Sequence, residues 1–170
     1  MTKNVQIYAV ESIYDSINKI KTIVKSLPEE IIRWKPSKDE WSVMQIITHV
    51  AEAIPYWAKE ISNIKLSNEN LWGRGLTDEV RLQAVSEENI NRKTVEEVIE
   101  QLSSIPITIE NVLHTLTDEE LHIQAPSRNP RFENKPINFI VNHLIVEHTE
   151  KHCKQIERNV SKYNQDKGGK

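Results

Sequence analysis

The amino-acid sequence predicts an all-α protein, a four-helix bundle with a long crossover between its second and third helices. Three observations carry that reading. Apolar residues recur at three- and four-residue steps in four separate stretches, the mark of helices with one buried face. Glycine occurs only 4 times, twice as Gly168 and Gly169 near the end of the chain, too few for a sheet of tight hairpins. Residues 65–93, between the second and third stretches, are polar and too many for a tight antiparallel turn, and they suit a connection running along a bundle.

Each helix has its own signals. The first carries Ile7, Val10, Ile13, Ile17, Ile20, Val24 and Leu27, and Pro28 lies just beyond as a stop. The second begins at Ser42, whose hydroxyl with the Gln45 amide forms a capping-box pattern. Its stripe is Val43, Ile46, Ile47, Val50, Ile54, Trp57 and Ile61. The third starts at the N-cap Thr94, with Glu97 three residues on, and carries Val98, Ile99, Leu102, Ile105, Ile109, Leu113 and Leu116. Pro106 falls inside that stripe and predicts a kink or a local break. Pro126 and Pro130 keep 117–134 irregular, and Pro136, its φ preset for a first helical turn, opens the fourth helix. The fourth stripe is Ile137, Ile140, Val141, Leu144, Ile145, His148, His152, Ile156 and Val160. Four such helices must bury their faces against one another, so residues 1–162 read as a single domain and the polar stretch 163–170 as a disordered tail.

With 38% hydrophobic and 28% charged residues, the chain reads as a folded, water-soluble globule. A net charge of −3 gives no electrostatic footprint for nucleic acid or an anionic membrane. No run approaches the roughly 18–20 apolar residues of a membrane span. The first residues, Met1 to Val5, lack the apolar core of a signal peptide. Cys153 is the single cysteine and cannot form an intramolecular disulfide, so the expected compartment is the reducing cytoplasm.

Function has to come from what interrupts the apolar stripes. At about 100° per residue from Ile137, His148 falls near ~20° and His152 near ~60°, in the middle of the apolar face. His143, near ~240°, and Glu150, near ~220°, lie on the solvent side. Two inward imidazoles one turn apart point the same way and can reach one ion at about 2.0–2.1 Å. Burying such a pair without a shared partner is costly, since each ring has two nitrogens to satisfy. The competing reading is a pair of hydrogen-bonded core histidines.

A third ligand has to come from another helix, and His49 is the candidate. It lies near ~240° from Val43, flanking the second stripe at the seam with a neighbour. By itself it also reads as a half-buried structural histidine. Cys153, near ~160°, points too far from the pair to join it, and His114 and His122 read as surface residues. Thr149 stands where an H-E-x-x-H motif has its glutamate, and the lone Glu-x-x-His pair, Glu119 and His122, lies in a loop region. Neither a zincin nor a di-iron carboxylate site is therefore indicated.

Two segments resemble a known family. Glu40, Trp41, Ser42 and Val43, six residues before His49 with Val50, Ala51 and Glu52 after it, resemble the second-helix signature of the DinB/YfiT-like superfamily. The run from Asn142 to Ile156 resembles its fourth-helix signature, H-x-x-x-H-x-x-Q-[IL], here His148, His152, Gln155 and Ile156. Cys153 and Lys154 replace the Arg-Gly often found before the glutamine, which leaves the subfamily open. The resemblance implies a bundle with a long crossover and places a metal triad on His49, His148 and His152, with one divalent ion per chain.

Three neutral imidazoles leave coordination positions open, as catalytic metal sites do, and suit zinc or nickel, then iron or copper. The resembled family includes thiol S-transferases using small cytoplasmic thiols, a maleylpyruvate isomerase and metal-dependent hydrolases. Two functions are therefore expected alternatives. One is a metalloenzyme acting on a small-molecule substrate, a thiol S-transferase using a low-molecular-weight thiol or a hydrolase. The other is a non-catalytic, metal-stabilised binding or interaction bundle. No general base stands out; Glu52, three residues after His49, either orients that ring or sits on a solvated helix face. Trp34, Trp41, Trp57 and Trp72 are many for four stripes to hide, and members of the family often pair through bundle faces, so a homodimer is expected. With ordinary imidazoles titrating near 6.5, metal affinity is expected to fall below about pH 6.

Overall fold

The four apolar stripes become the four long helices of a computed structural model, which describes residues 4–168. The elements are α1 (Val5–Lys25), α2 (Glu29–Arg33), α3 (Val43–Leu66), α4 (Glu79–Ala84), α5 (Glu87–Asn91), α6 (Val95–His114), α7 (Ile137–Phe139) and α8 (His148–Gly168). A π-helical segment, Ile140–Glu147, joins α7 to α8, so 137–168 form one continuous rod. Both expected capping boxes form, Ser42 with Gln45 and Thr94 with Glu97, and Pro136 stands at the N-cap of α7. Among the described residues there is no strand, only isolated bridges from Trp72 to Ser127 and from Gln124 to Pro136.

Cross-helix contacts fix the directions. Gln6 Nε2 donates to the Leu116 carbonyl (3.2 Å) and the Tyr14 hydroxyl to Glu110 (2.8 Å), so α1 and α6 run antiparallel. Lys65 Nζ donates to the Thr115 carbonyl (2.7 Å), bringing the C-terminal ends of α3 and α6 together, so these two run parallel. Asn159 Nδ2 donates to the Trp41 carbonyl (2.7 Å) while His49 faces His148, so α3 and α8 run antiparallel. α3 packs on α6 and α8, and α1 closes the other side of both, so α1 and α3 lie across the diagonal. Two consecutive long helices that run parallel require the chain to return along the bundle, which is why 65–93 is long. That connection is partly helical, containing α4 and α5.

Four expectations change in detail. The inward face of α1 is Gln6, Ala9, Ile13, Ile17, Ile20 and Val24, whereas Ile7 is 52% exposed. Ile7 sits six residues before Ile13, about 120° around the helix from it. Next, of the kink or break expected at Pro106 the break does not occur: α6 runs unbroken through it, as α3 does through Pro55, because packing of their apolar faces outweighs the one backbone donor a proline removes. The tail expected over 163–170 is helical through Gly168, secured where Tyr163 meets Trp34 edge-on at 5.4 Å and donates to Glu30 at 3.0 Å. Residues 169–170 lie outside the described residues. Finally, no tryptophan is left exposed: Trp57 and Trp72 are buried and Trp34 and Trp41 half-buried.

The crossover is clamped to the second loop and to α3. Trp72, fully buried, donates Nε1–H to the Ala125 carbonyl (2.7 Å) and stacks on Phe132 with centroids 5.6 Å apart. Gly73 has φ +81°, and a Cβ there would lie 3.0 Å from the Ser127 hydroxyl, so glycine is required. Its N–H donates to the buried Glu60 carboxylate (2.5 Å), which also accepts from Asn63 Nδ2 (3.1 Å) and has Arg128 at 3.7 Å. Glu60→Ala leaves the buried Gly73 N–H without an acceptor and is expected to lower stability by about 2–3 kcal/mol. Urea unfolding reads this out, and an unchanged midpoint would remove Glu60 from the clamp.

Candidate metal centre

His49 lies in the second turn of α3, buried to 3% exposure, His148 opens α8 and His152 follows one turn later. Their rings meet. His49 Nε2 is 3.1 Å from His148 Nε2, and the ring centroids of His152 lie 4.9 Å from His49 and 4.6 Å from His148. One nitrogen from each ring falls within 4.8 Å of the other two. The outer shell sets which nitrogen carries a proton. His148 Nδ1 is 3.1 Å from the Leu144 carbonyl, which can only accept, so its proton sits on Nδ1 and the Nε2 lone pair is free. His152 Nδ1 is likewise 2.8 Å from Gln155 Oε1, which assigns the same tautomer. His49 Nδ1 is buried with no hydrogen-bond partner. Trp41 covers the centre, its ring 5.0 Å from His49 and stacked on His152 at 6.3 Å.

Burial and mutual repulsion keep these imidazoles uncharged. His49 is pushed down to about 2, chiefly by burial and then by the His152 and His148 charges. His148 falls to about 4 for the same reasons, with its bond to Leu144 pulling the other way. Burial also lowers His152, against the opposing pull of Gln155. All three are therefore neutral at pH 7, the only state in which imidazole ligates. Protons are still expected to compete with a metal as pH falls, and the lowered imidazoles move that competition below the ordinary histidine range. Converging neutral nitrogens, two with fixed tautomers, fit a borderline divalent ion such as zinc or nickel. Cys153 is buried but outside the cluster, and its thiol feels Lys19 and Glu157 instead.

Beside the cluster opens a cavity of about 900 Å³, into which His49 and His148 face. Trp57, Phe132, Phe139 and Leu144 supply apolar wall, and Arg74, Arg81, Arg131, Lys135 and Lys151 supply cations. The sequence placed His143 on the solvent side; it is exposed, yet it also lines this cavity, stacked on Phe139 at 5.0 Å and 2.9 Å from Glu147. Glu52 does not orient His49. It grips Arg74 through two hydrogen bonds of 2.6 Å, and Arg74 in turn lies 4.0 Å over the Tyr56 ring. Arg74 and Arg81 are the residues that the sequence reading missed. The available signal was Asp78, an N-cap residue that accepts from the Arg81 backbone N–H (2.9 Å) and marks a helix inside the crossover.

His148 and His152 share a face for a local reason. Ile140–Glu147 is π-helical, with more residues per turn than the about 3.6 assumed, so positions counted from Ile137 drift across it. The His148–His152 step lies wholly in α8, where four-residue spacing keeps both rings on one face.

These features agree with the comparisons. By fold, the chain is similar to YfiT from Bacillus subtilis, described as a probable metal-dependent hydrolase with an unusual four-helix bundle topology. The TM-score is 0.76 at 15% identity, covering 99% of this chain and 90% of that one. No curated protein matches the sequence. A family model of the DinB superfamily matches residues 13–156, which reach into all four long helices and include the three histidines. The chain belongs to the DinB superfamily.

Proposed function

We propose that this protein is a metalloenzyme in which His49, His148 and His152 hold one divalent ion, zinc or nickel, and in which the adjoining cavity takes a small-molecule substrate. The observation that carries this is the convergence of three neutral imidazoles at the side of a large cavity. Three protein ligands leave coordination positions open, whereas structural sites close all four. The chemistry such an ion supplies is activation of a water or a thiol at neutral pH, so the reaction is hydrolysis or thiol transfer to an electrophile. The chain's own part is to hold the ligands in one tautomer through Leu144 and Gln155, to shield the centre with Trp41 and to seat the substrate against Trp57 and Phe132. YfiT's description as a probable metal-dependent hydrolase supports this reading. Location in the cytoplasm and homodimerisation belong to the same proposal; no helix among the described residues is long and apolar enough to cross a membrane.

The test is a screen of thiol conjugation and ester hydrolysis on the zinc- and nickel-loaded protein. Activity is expected to appear with metal, vanish with chelation and return on reloading. Turnover unaffected by chelation would overturn the proposal. A protein that binds metal, turns over nothing and unfolds on chelation would instead make the site structural.

A further inference from the structure

The cavity has a charge imbalance that the metal centre does not explain. Of its five cations, Arg74 is already neutralised by Glu52 and by Asp78 at 3.6 Å. Glu147, the lining carboxylate, is engaged with His143. Arg81 is different. It is half-buried, its guanidinium lies 5.7 Å from the Trp41 ring centre, and one nitrogen donates to the Leu76 carbonyl at 2.9 Å. Among the described residues no carboxylate lies within ion-pair distance of it, and the rest of its donor fork is uncommitted. It lines the same cavity as His49 and His148, and the Trp41 ring it faces packs on His49, which places it beside the centre. A half-buried guanidinium without an anion is costly, and its planar fork matches a carboxylate.

We infer that the substrate is a small carboxylate with an apolar body, its anion held in a bidentate pair by Arg81 and its body resting on Trp57, Phe132 and Phe139. This rests on the cavity being the substrate site, as proposed above. The size suits it, because about 900 Å³ is in the range of small-molecule sites, and Phe132 lies edge-on to Trp57 at 6.2 Å and 5.5 Å from Phe139. Arg131, Lys135 and Lys151 at the exposed side draw an anion inward without fixing its position.

Calorimetric titration of 1-naphthylacetate against 1-naphthylacetamide, on both metal-loaded and metal-free protein, tests this. The carboxylate is expected to bind about tenfold tighter or more than the amide in both forms. Arg81→Gln is expected to erase that preference, and Arg81→Lys to restore it in part, since a lysine keeps the charge and loses the fork. Equal binding of acid and amide by the wild type overturns the inference, and needs no variant to fold. So does an Arg81→Gln protein of normal thermal stability that keeps the preference. A preference confined to the metal-loaded form would assign the carboxylate to the ion and overturn the role of Arg81. Preference through Arg81 in a protein that never binds metal would remove the metalloenzyme reading and leave this one standing.

Discussion

Alanine in place of His148 or His152 is expected to strip the protein of metal, from about one divalent ion per chain to almost none, without unfolding it. Each ring donates its outer N–H to a fixed acceptor and aims Nε2 at the others, so removing either leaves two nitrogens where three converged. The bundle should survive, because the buried stripe of α1, α3, α6 and the last rod does not depend on these rings. Gln155→Ala, which keeps all three ligands and frees the His152 ring to rotate, should weaken affinity by about 10–100-fold rather than abolish it. His143→Ala should leave metal content unchanged, since His143 lies outside the cluster and pairs with Glu147. Elemental analysis alongside circular dichroism reads all four variants. Metal content unchanged in the His148→Ala, His152→Ala double variant would refute the triad.

The metal-free protein should also be acid-sensitive in a narrow window. Unfolded histidines titrate near 6.5, while His49 and His148 are held down to about 2 and about 4 in the fold and His152 is lowered too. Above pH 7 all three are neutral in both states, so nothing is lost. As pH falls below 6.5 the unfolded chain takes up protons that the folded chain refuses, and stability drops with each step down. Each fully engaged histidine costs about 1.4 kcal/mol per pH unit, so His49 and His148 together cost about 4 kcal/mol by pH 5, and His152 adds to this in the same direction. That is comparable to the lower end of a domain's whole stability, about 5–15 kcal/mol. Urea midpoints should therefore hold from pH 8 to 7 and collapse between 6 and 5, with bound metal delaying the collapse through mass action. His148→Ala should flatten the profile by about one proton. A midpoint that stays level down to pH 5 would show that protons reach these rings in the folded state.

The sequence was most informative where structure depends on neighbours along the chain. Ser42 with Gln45 and Thr94 with Glu97 cap their helices because all four groups lie within one turn. His148 and His152 share a face because four residues separate them on one α-helix. The third ring could be proposed but not placed from periodicity, since the meeting of His49 with His148 depends on how α3 packs against α8. Arg74, Arg81, Glu60 and Trp72 were illegible for a related reason. They belong to the crossover or bind it: Arg74, Glu60 and Trp72 meet Glu52, Gly73 and Ala125, and Arg81 meets the Trp41 ring, only after the chain has doubled back. The same limit applies to Ile7: an apolar residue near a helix start fits a loose stripe, and only the phase set by Ile13, Ile17 and Ile20 turns it outward.

The parallel run of α3 and α6 bears on how quickly the chain can find its fold. In an up-and-down bundle each helix docks on the one made just before it. Here α1 meets α6 through pairs such as Tyr14 with Glu110, 96 residues apart, and Gln6 with Leu116, 110 apart. It reaches the last rod across a longer span still, as in Lys19 with Glu157. Much of the loop-closure entropy must be surrendered before those contacts return any stability. An all-helical chain of this kind should refold more slowly than its helix content alone would indicate, with α1 waiting on the C-terminal half before it can dock.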